Sequence, residues 1–220
     1  MATFLDLARA VTMRSGAGAK LTSTQGQVGR LALIVELTRG AWVMIQQSRP
    51  DWDFLYERIE ASLAAGTRRA TPAALGLSDH GRWIAGSFSC LDPREGEEWT
   101  LATMSYREWA RCDPGGRGCG RPQAIAVGPS ETLCFAPAPG RALTLRGGRY
   151  RAPQRLARDD DVPLCKPYRH DIIVHRALMS LASFDEAVSA YAAAKSDYQE
   201  MLSGLTGDHA PRIAMPGPLA

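Results

Sequence analysis

Cys112 and Cys119 bring two thiols close together in the chain, flanking the turn Asp113-Pro114-Gly115-Gly116-Arg117-Gly118. Paired zinc ligands are usually separated by about two to four residues, so this gap is too wide. Cys90, Cys134 and Cys165 are distant and no histidine lies nearby. An ordinary turn with free thiols is the expectation, with no metal. His170 and His175 are five apart on an expected helix, which puts them on different faces rather than at the i, i+4 spacing of a helical zinc pair. They read as surface or capping histidines. Asp159-Asp160-Asp161 lacks the alternation, glycine and closing glutamate of a calcium loop and reads as a solvated turn beside Arg151, Arg155 and Arg158. Gly16-Ala17-Gly18-Ala19-Lys20 is followed by Leu21, not Ser or Thr, and follows a helix, so it is no phosphate loop. No Gly-x-Ser-x-Gly elbow occurs. Arg146, Arg149, Arg151, Arg155 and Arg158 form a basic stretch with Tyr150 as its only aromatic. A strand with a solvated face or an arginine-rich subunit contact accounts for it better than a nucleic-acid module. Nothing in this inventory sets up a catalytic site or asks for a cofactor.

The elements that carry these residues fall into three zones. Thr3 with Asp6 makes a capping box ahead of Phe4, Leu5, Leu7, Ala8 and Val11, which predicts a first helix. A Gly/Ser/Thr-rich loop, 15–26, leads to the strongest helix, about 27–49, stopped by Pro50. This helix has two apolar stripes: Val28, Leu31, Val35, Thr38, Trp42 and Ile45, and Ile34, Leu37, Ala41 and Met44. A helix apolar on two faces must be covered on two sides. Either it is the centre of its own fold, or one of the two stripes packs on another subunit. The middle, 55–164, is punctuated by Gly, Pro and Asp-Pro between short runs at 82–90, 99–103, 123–127, 132–136 and 142–151, with one helix opened by Ser105 and Glu108. The last zone is helical from Pro167 to Leu181. Ser183-Phe184-Asp185-Glu186 reads as a capping box for a further helix with Phe184, Ala187, Val188, Tyr191, Ala194, Tyr198, Met201 and Leu205 or Leu202 inward, closed by Gly204 or Gly207.

The expected fold is therefore α+β. A discontinuous helical bundle from both termini (1–54 and 165–207) carries an inserted antiparallel β sheet or small barrel (55–164) and an extended C-terminal arm (208–220). The arm has Pro211, Pro216 and Pro218 yet keeps Ile213, Met215 and Leu219, more apolar than a solvated linker. With 220 residues, 45% of them hydrophobic, a core needs neither disulfides nor metal, and a net charge of +3 is too small to imply a membrane or nucleic-acid partner. Met1–Arg14 has no apolar leader, and the most apolar run, Leu31–Leu37, is far short of the ~20 residues of a membrane span.

Several motifs in order resemble the head-to-tail adaptor (connector, head-completion) proteins of tailed bacteriophages. They are Thr3-Phe4-Leu5, Gln25-Gly26-Gln27, Ala41-Trp42 with Ile45-Gln46, and Pro50-Asp51-Trp52-Asp53-Phe54. Near the other end are Gly148-Arg149-Tyr150-Arg151-Ala152-Pro153, the Asp159–Leu164 loop, His170 with Ile172-Ile173, Arg176-Ala177-Leu178, and the Pro-Gly-Pro-Leu-Ala ending. The middle of the chain carries little of this similarity. The resemblance implies a structural virion protein without cofactor. It would form a dodecameric ring under the portal in the neck, after synthesis in the host cytoplasm, extending the DNA channel and offering a platform for a stopper or tail protein. Its partners would be the portal ring, neighbouring adaptor subunits and, through proximity alone, the genomic DNA. Ile34, Leu37, Ala41 and Met44 would then be the subunit interface, and Ile213, Met215, Pro216 and Leu219 the portal-binding arm. The alternatives are another neck component, such as a stopper or tail-completion protein, or an enzyme with an unrecognised site. Purified without an affinity tag, the protein is expected to carry no stoichiometric metal; about one zinc per chain by elemental analysis would overturn this.

Overall fold

The computed structural model describes residues 1–18, 20–112 and 118–208. The chain divides into two compact units, Met1–Phe54 with the C-terminal part from Pro153, and Leu55–Ala152.

In the first unit, α1 (Phe4–Arg14) opens on the expected capping box. Asp6 N donates to the Thr3 hydroxyl and the Asp6 carboxylate accepts from Thr3 N at 3.0 Å, so two orphan amides are satisfied reciprocally. The next helix, α2 (Gly29–Gln47), is slightly shorter than expected, and Val28, counted in its inward stripe, sits outside as an 83% exposed N-cap. Two more helices follow late in the chain, α4 (Asp171–Phe184) and α5 (Val188–Asp208). Helices α1, α2 and α4 pack pairwise against one another, and α5 lies along α4. The first three bury Phe4, Val11, Ile34, Trp42, Ile45, Ile173 and Val174.

The α4–α5 corner departs from the sequence expectation. Ser183 and Phe184 belong to the end of α4, and no capping box opens α5. Glu186 takes φ +56° while Ala187 N donates to Ala182 O at 2.9 Å and Glu186 N to Ser183 O at 3.4 Å. This is the Schellman closure that glycine usually makes, so the last carbonyls of α4 are satisfied and the helix stops there. Phe184, expected inward, is 65% exposed. Nor do Gly204 and Gly207 end α5, which runs on to Asp208. Gly204 instead makes room for the Arg169 guanidinium, which a Cβ would meet at 2.6 Å.

The second unit holds three sheets. In the largest, β11 (Leu143–Arg151) pairs antiparallel with β1 (Tyr56–Leu63) along one edge, Ile59 opposite Gly147, and with β3 (His80–Trp83) and β4 (Ser89–Leu91) along the other; β5 (Glu98–Thr100) extends β4. The second runs β2 (Arg69–Ala70), β9 (Leu133–Ala136), β8 (Ala124–Val127), β6 (Ala102–Met104), and a short pair joins β7 (Cys119–Gly120) to β10 (Ala138–Pro139). Two expectations are corrected. Among the described residues the strands close no barrel, because the run expected at 99–103 breaks at buried Leu101 and its halves join different sheets. The pairing is also not wholly antiparallel. β6 and β8 are parallel, and the crossover that parallel neighbours require is supplied by helix α3 (Tyr106–Cys112), capped as expected by Ser105 and Glu108. The two larger sheets share one core, with Ile59, Leu63, Trp83, Phe88, Ile125, Phe135 and Leu145 among its members.

Gly147 lies in the middle of β11 because the Phe88 ring fills the place of a side chain, 2.6 Å from where a Cβ would stand. Gly147→Ala is therefore expected to destabilise the protein by about 1–3 kcal/mol through overpacking. Denaturant unfolding with an unchanged midpoint would refute this.

Candidate assembly surfaces

Residues that could have supported chemistry prove to be structural. Burial pushes the Cys90 thiol up to about 11 and the Cys165 thiol up to about 12, so neither supplies a nucleophile near neutral pH. Cys134 is buried and shifted the same way, while Cys112 and Cys119 are exposed free thiols. The turn between the last two lies outside the described residues. No group of three or more potential metal ligands comes together among the described residues.

The acidic loop is not the simple solvated turn expected. Asp159 Oδ1 accepts from Thr24 N at 2.7 Å and from the Thr24 hydroxyl at 2.5 Å, and Asp161 Oδ2 accepts from the amides of Ala157 and Arg158. Only Asp160, paired with Arg158, is an open surface ion pair. Their neighbour in the sequence, Arg151, is engaged elsewhere, with Glu57 and Asp79. Arg149 joins the same two carboxylates, and Arg146 pairs with Glu60 and Glu98. Much of the basic stretch is thus neutralised within the chain, which leaves it a weak candidate for phosphate contact.

Of the two histidines, expected at the surface or as caps, His170 is buried at the N-cap position of α4, without a side-chain capping hydrogen bond, and His175 is partly buried. His170 is 2% exposed and its Nε2 lies 3.1 Å from Cys165 O. His175 stands where three helices meet. Arg14 of α1 lies 2.9 Å from its Nε2 and also pairs with Asp171 of α4, while Asp197 of α5 lies 3.1 Å from its Nδ1. No spacing in the sequence marks this junction, because its members come from three separate segments. Beside it, Leu178 and Leu181 of α4 and Ala190, Ala193 and Ala194 of α5 line a groove of about 420 Å³.

Helix α5 packs along α4 and carries polar pins as well. Only Ala194 and Leu205 of its residues are buried. At its end Asp208 accepts from Arg169 Nε at 2.9 Å and from the Tyr168 hydroxyl at 3.0 Å, and Arg169 also donates to Gly204 O. The Arg169 hydrogen bond, with that of Tyr168, holds the Asp208 carboxyl down at about 2. At the opposite end Phe184 and Val188 are exposed, 65% and 80%. Large apolar side chains in water beside a thinly covered helix mark a surface suited to a protein partner.

The stripe named from the sequence is split by the fold. Ile34 and Ala41 are buried within the chain, Leu37 is half-buried, and Met44 is 50% exposed. Only the Leu37–Met44 side of the stripe reaches the surface. Ile213, Met215, Pro216 and Leu219 lie outside the described residues.

A family model described as the SU10 adaptor protein matches residues 2–219. The chain belongs to the SU10 adaptor protein family. It is a phage head–tail adaptor, with a structural role at the neck of the virion. No curated protein matches the chain. No described helix of the adaptor is long and apolar enough to cross a membrane.

Because the Asp208 carboxyl is depressed in the folded chain, its contribution is present above the ordinary carboxylate range and is lost as pH falls through about 2. The end of α5 is therefore expected to fray between about pH 4 and pH 2, and Arg169→Met should move the midpoint upward. An NMR titration of the Asp208 carboxyl carbon checks both; a midpoint near 4 in the unaltered adaptor would refute the pinning.

Proposed function

We propose that the adaptor assembles as a dodecameric ring beneath the portal, extends the channel for the genomic DNA and provides the platform on which a stopper or tail protein docks. The observation that carries this reading is the family match over nearly the whole chain. Each subunit of such a ring must bury two different flanks against two neighbours, since the contact is heterologous. The exposed apolar residues of the helical unit are consistent with that demand, and the internally paired arginines suit a wall that lies near DNA without gripping it. The subunit contact runs along the α2 stripe, through the Leu37 and Met44 side chains that the chain itself leaves open, with Ile34 and Ala41 supporting them from within. The arm carrying Ile213, Met215, Pro216 and Leu219 docks on the portal as an extended segment, where its prolines reduce the ordering entropy lost on binding.

Co-purification with portal, followed by imaging of the neck at side-chain resolution, tests the whole reading; an adaptor absent from the neck would end it. The subunit contact is tested by substitution. Leu37→Asp and Met44→Asp are expected to leave the monomer's helical circular dichroism intact and to reduce ring assembly on portal at least about tenfold, since a charge desolvated without a partner at a contact costs several kcal/mol, roughly. Ile34→Asp should instead unfold the monomer. Full assembly by both surface variants would exclude this stripe as the interface.

A further inference from the structure

Two unlike surfaces of the helical unit lie on either side of α5. On one side α5 turns Tyr198 towards Arg176 of α4, whose guanidinium carbon lies 5.8 Å from the ring centroid and whose Nη2 lies 2.9 Å from Met44 Sδ of α2. This side presents a ridge. Leu37 is half-buried, Met44 is 50% exposed, and between them a Cβ at Gly40 would meet nothing within 4 Å. On the other side α5 turns Asp197 towards His175, beside the groove of about 420 Å³. Leu178 and Leu181 of α4 form the apolar floor of that groove, and Ala187, Ala190 and Ala194 line its other side.

We infer that the groove seats a second copy of this chain, the Leu37–Met44 ridge of one subunit filling the α4–α5 groove of the next. The inference rests on the reading of that ridge as the subunit contact, and it names the surface the ridge meets. A head-to-tail contact needs two unlike surfaces on one subunit, and α5 separates this pair. The spacing corresponds. Leu37, Gly40 and Met44 follow one another at three and four residues, as do Ala187, Ala190 and Ala194. Two helices laid side by side in parallel keep those rows in step over two turns, about 10.5 Å at ~1.5 Å per residue. Large side chains of one row then stand against alanines of the other, and Gly40 lets the backbones approach. The charges correspond in the same register. Arg176, beside Met44, donates to the Ser180 hydroxyl and meets no carboxylate among the described residues. Asp197, its side chain 53% exposed, faces the His175 ring and no guanidinium among them, whereas Asp171 and Asp185 already hold Arg14 and Arg30. With Met44 opposite Ala194, Arg176 of one copy comes within a turn of Asp197 of the other. Docking gives the guanidinium an acid and the acid a guanidinium.

Photocrosslinking of the full chain assembled on portal decides the matter. With a benzophenone amino acid at position 44 and a mixture of isotopically light and heavy chains, crosslinks are expected between copies, from position 44 to residues 178–194. Ala193→Glu, at an exposed position of the groove wall, and Gly40→Trp, on the ridge, should each reduce ring assembly at least about tenfold and leave the monomer's helical circular dichroism unchanged, the first because it buries a charge without a partner and the second because it holds the helices apart. Crosslinks between copies that land on another surface would overturn the inference while leaving the ridge a subunit contact. Absence of any crosslink between copies would end both readings. Full assembly by Ala193→Glu would exclude the groove by itself.

Discussion

The helical unit is interrupted by the entire β unit, and its closure depends on one side-chain amide paired reciprocally with the returning backbone. Gln46, 1% exposed, donates from Nε2 to Gln154 O at 2.9 Å and accepts from Gln154 N at 2.7 Å. The Gln154 side chain in turn accepts from Trp42 Nε1 at 2.9 Å and donates to Val162 O at 2.9 Å. Arg39 continues the seam by donating to Leu156 O at 2.6 Å. The segment 153–164 has little regular structure, so its backbone groups lack a ladder and need side-chain partners once buried. Helix α2 supplies them. Through this seam the chain returning from the β unit is set in register on α2, and the position of α4 and α5 follows. It also explains why 153–164, grouped by its turn residues with the β-rich segment, belongs to the helical unit.

In the β unit the comparable constraint is electrostatic. Arg149 projects from the central strand with a side chain only 4% exposed, which would be untenable unpaired. Glu57 and Asp79 surround it, at 2.5 and 2.6 Å, and Arg151 contacts the same acids. The Arg151 hydrogen bond holds Glu57 below the usual carboxylate range. Such a cluster adds little net stability over an apolar alternative, but losing one member leaves uncompensated charge. It ties β1 to β11 and leaves less charge free for a polyanion.

The helical unit spends its apolar surface unevenly. The α1–α2–α4 contact buries aromatic and β-branched side chains, whereas α5 fully buries only Ala194 and Leu205 and adds polar pins from Asp197 to His175 of α4 and from Asp208 to Arg169 just ahead of α4. Elements held in this way open at lower free energy than a core does.

The sequence by itself determined what depends on neighbours three or four residues away. The Thr3–Asp6 and Ser105–Glu108 capping boxes formed as read, because donor and acceptor are brought together by the helix they start. The same holds for the helix over most of 27–49 and for the family signature distributed along the chain, which the match to residues 2–219 bears out. The tertiary structure decided everything in which the partner arrives from elsewhere. Ser183-Phe184-Asp185-Glu186 has the letters of a capping box, yet α4 ends within it, since the Ala182 and Ser183 carbonyls accept from the amides of Ala187 and Glu186 and Arg30 holds Asp185. Two apolar stripes on α2 could not say which would be covered; α1 and α4 buried Ile34 and Ala41 and left Met44 outside. Leu101 sits in one continuous strand-like run, but the chain changes sheets there because β4 and β8 compete for its two halves. Spacing encodes a local hydrogen bond directly, whereas burial and strand pairing are set by whichever distant surface reaches the residue first and excludes water from it.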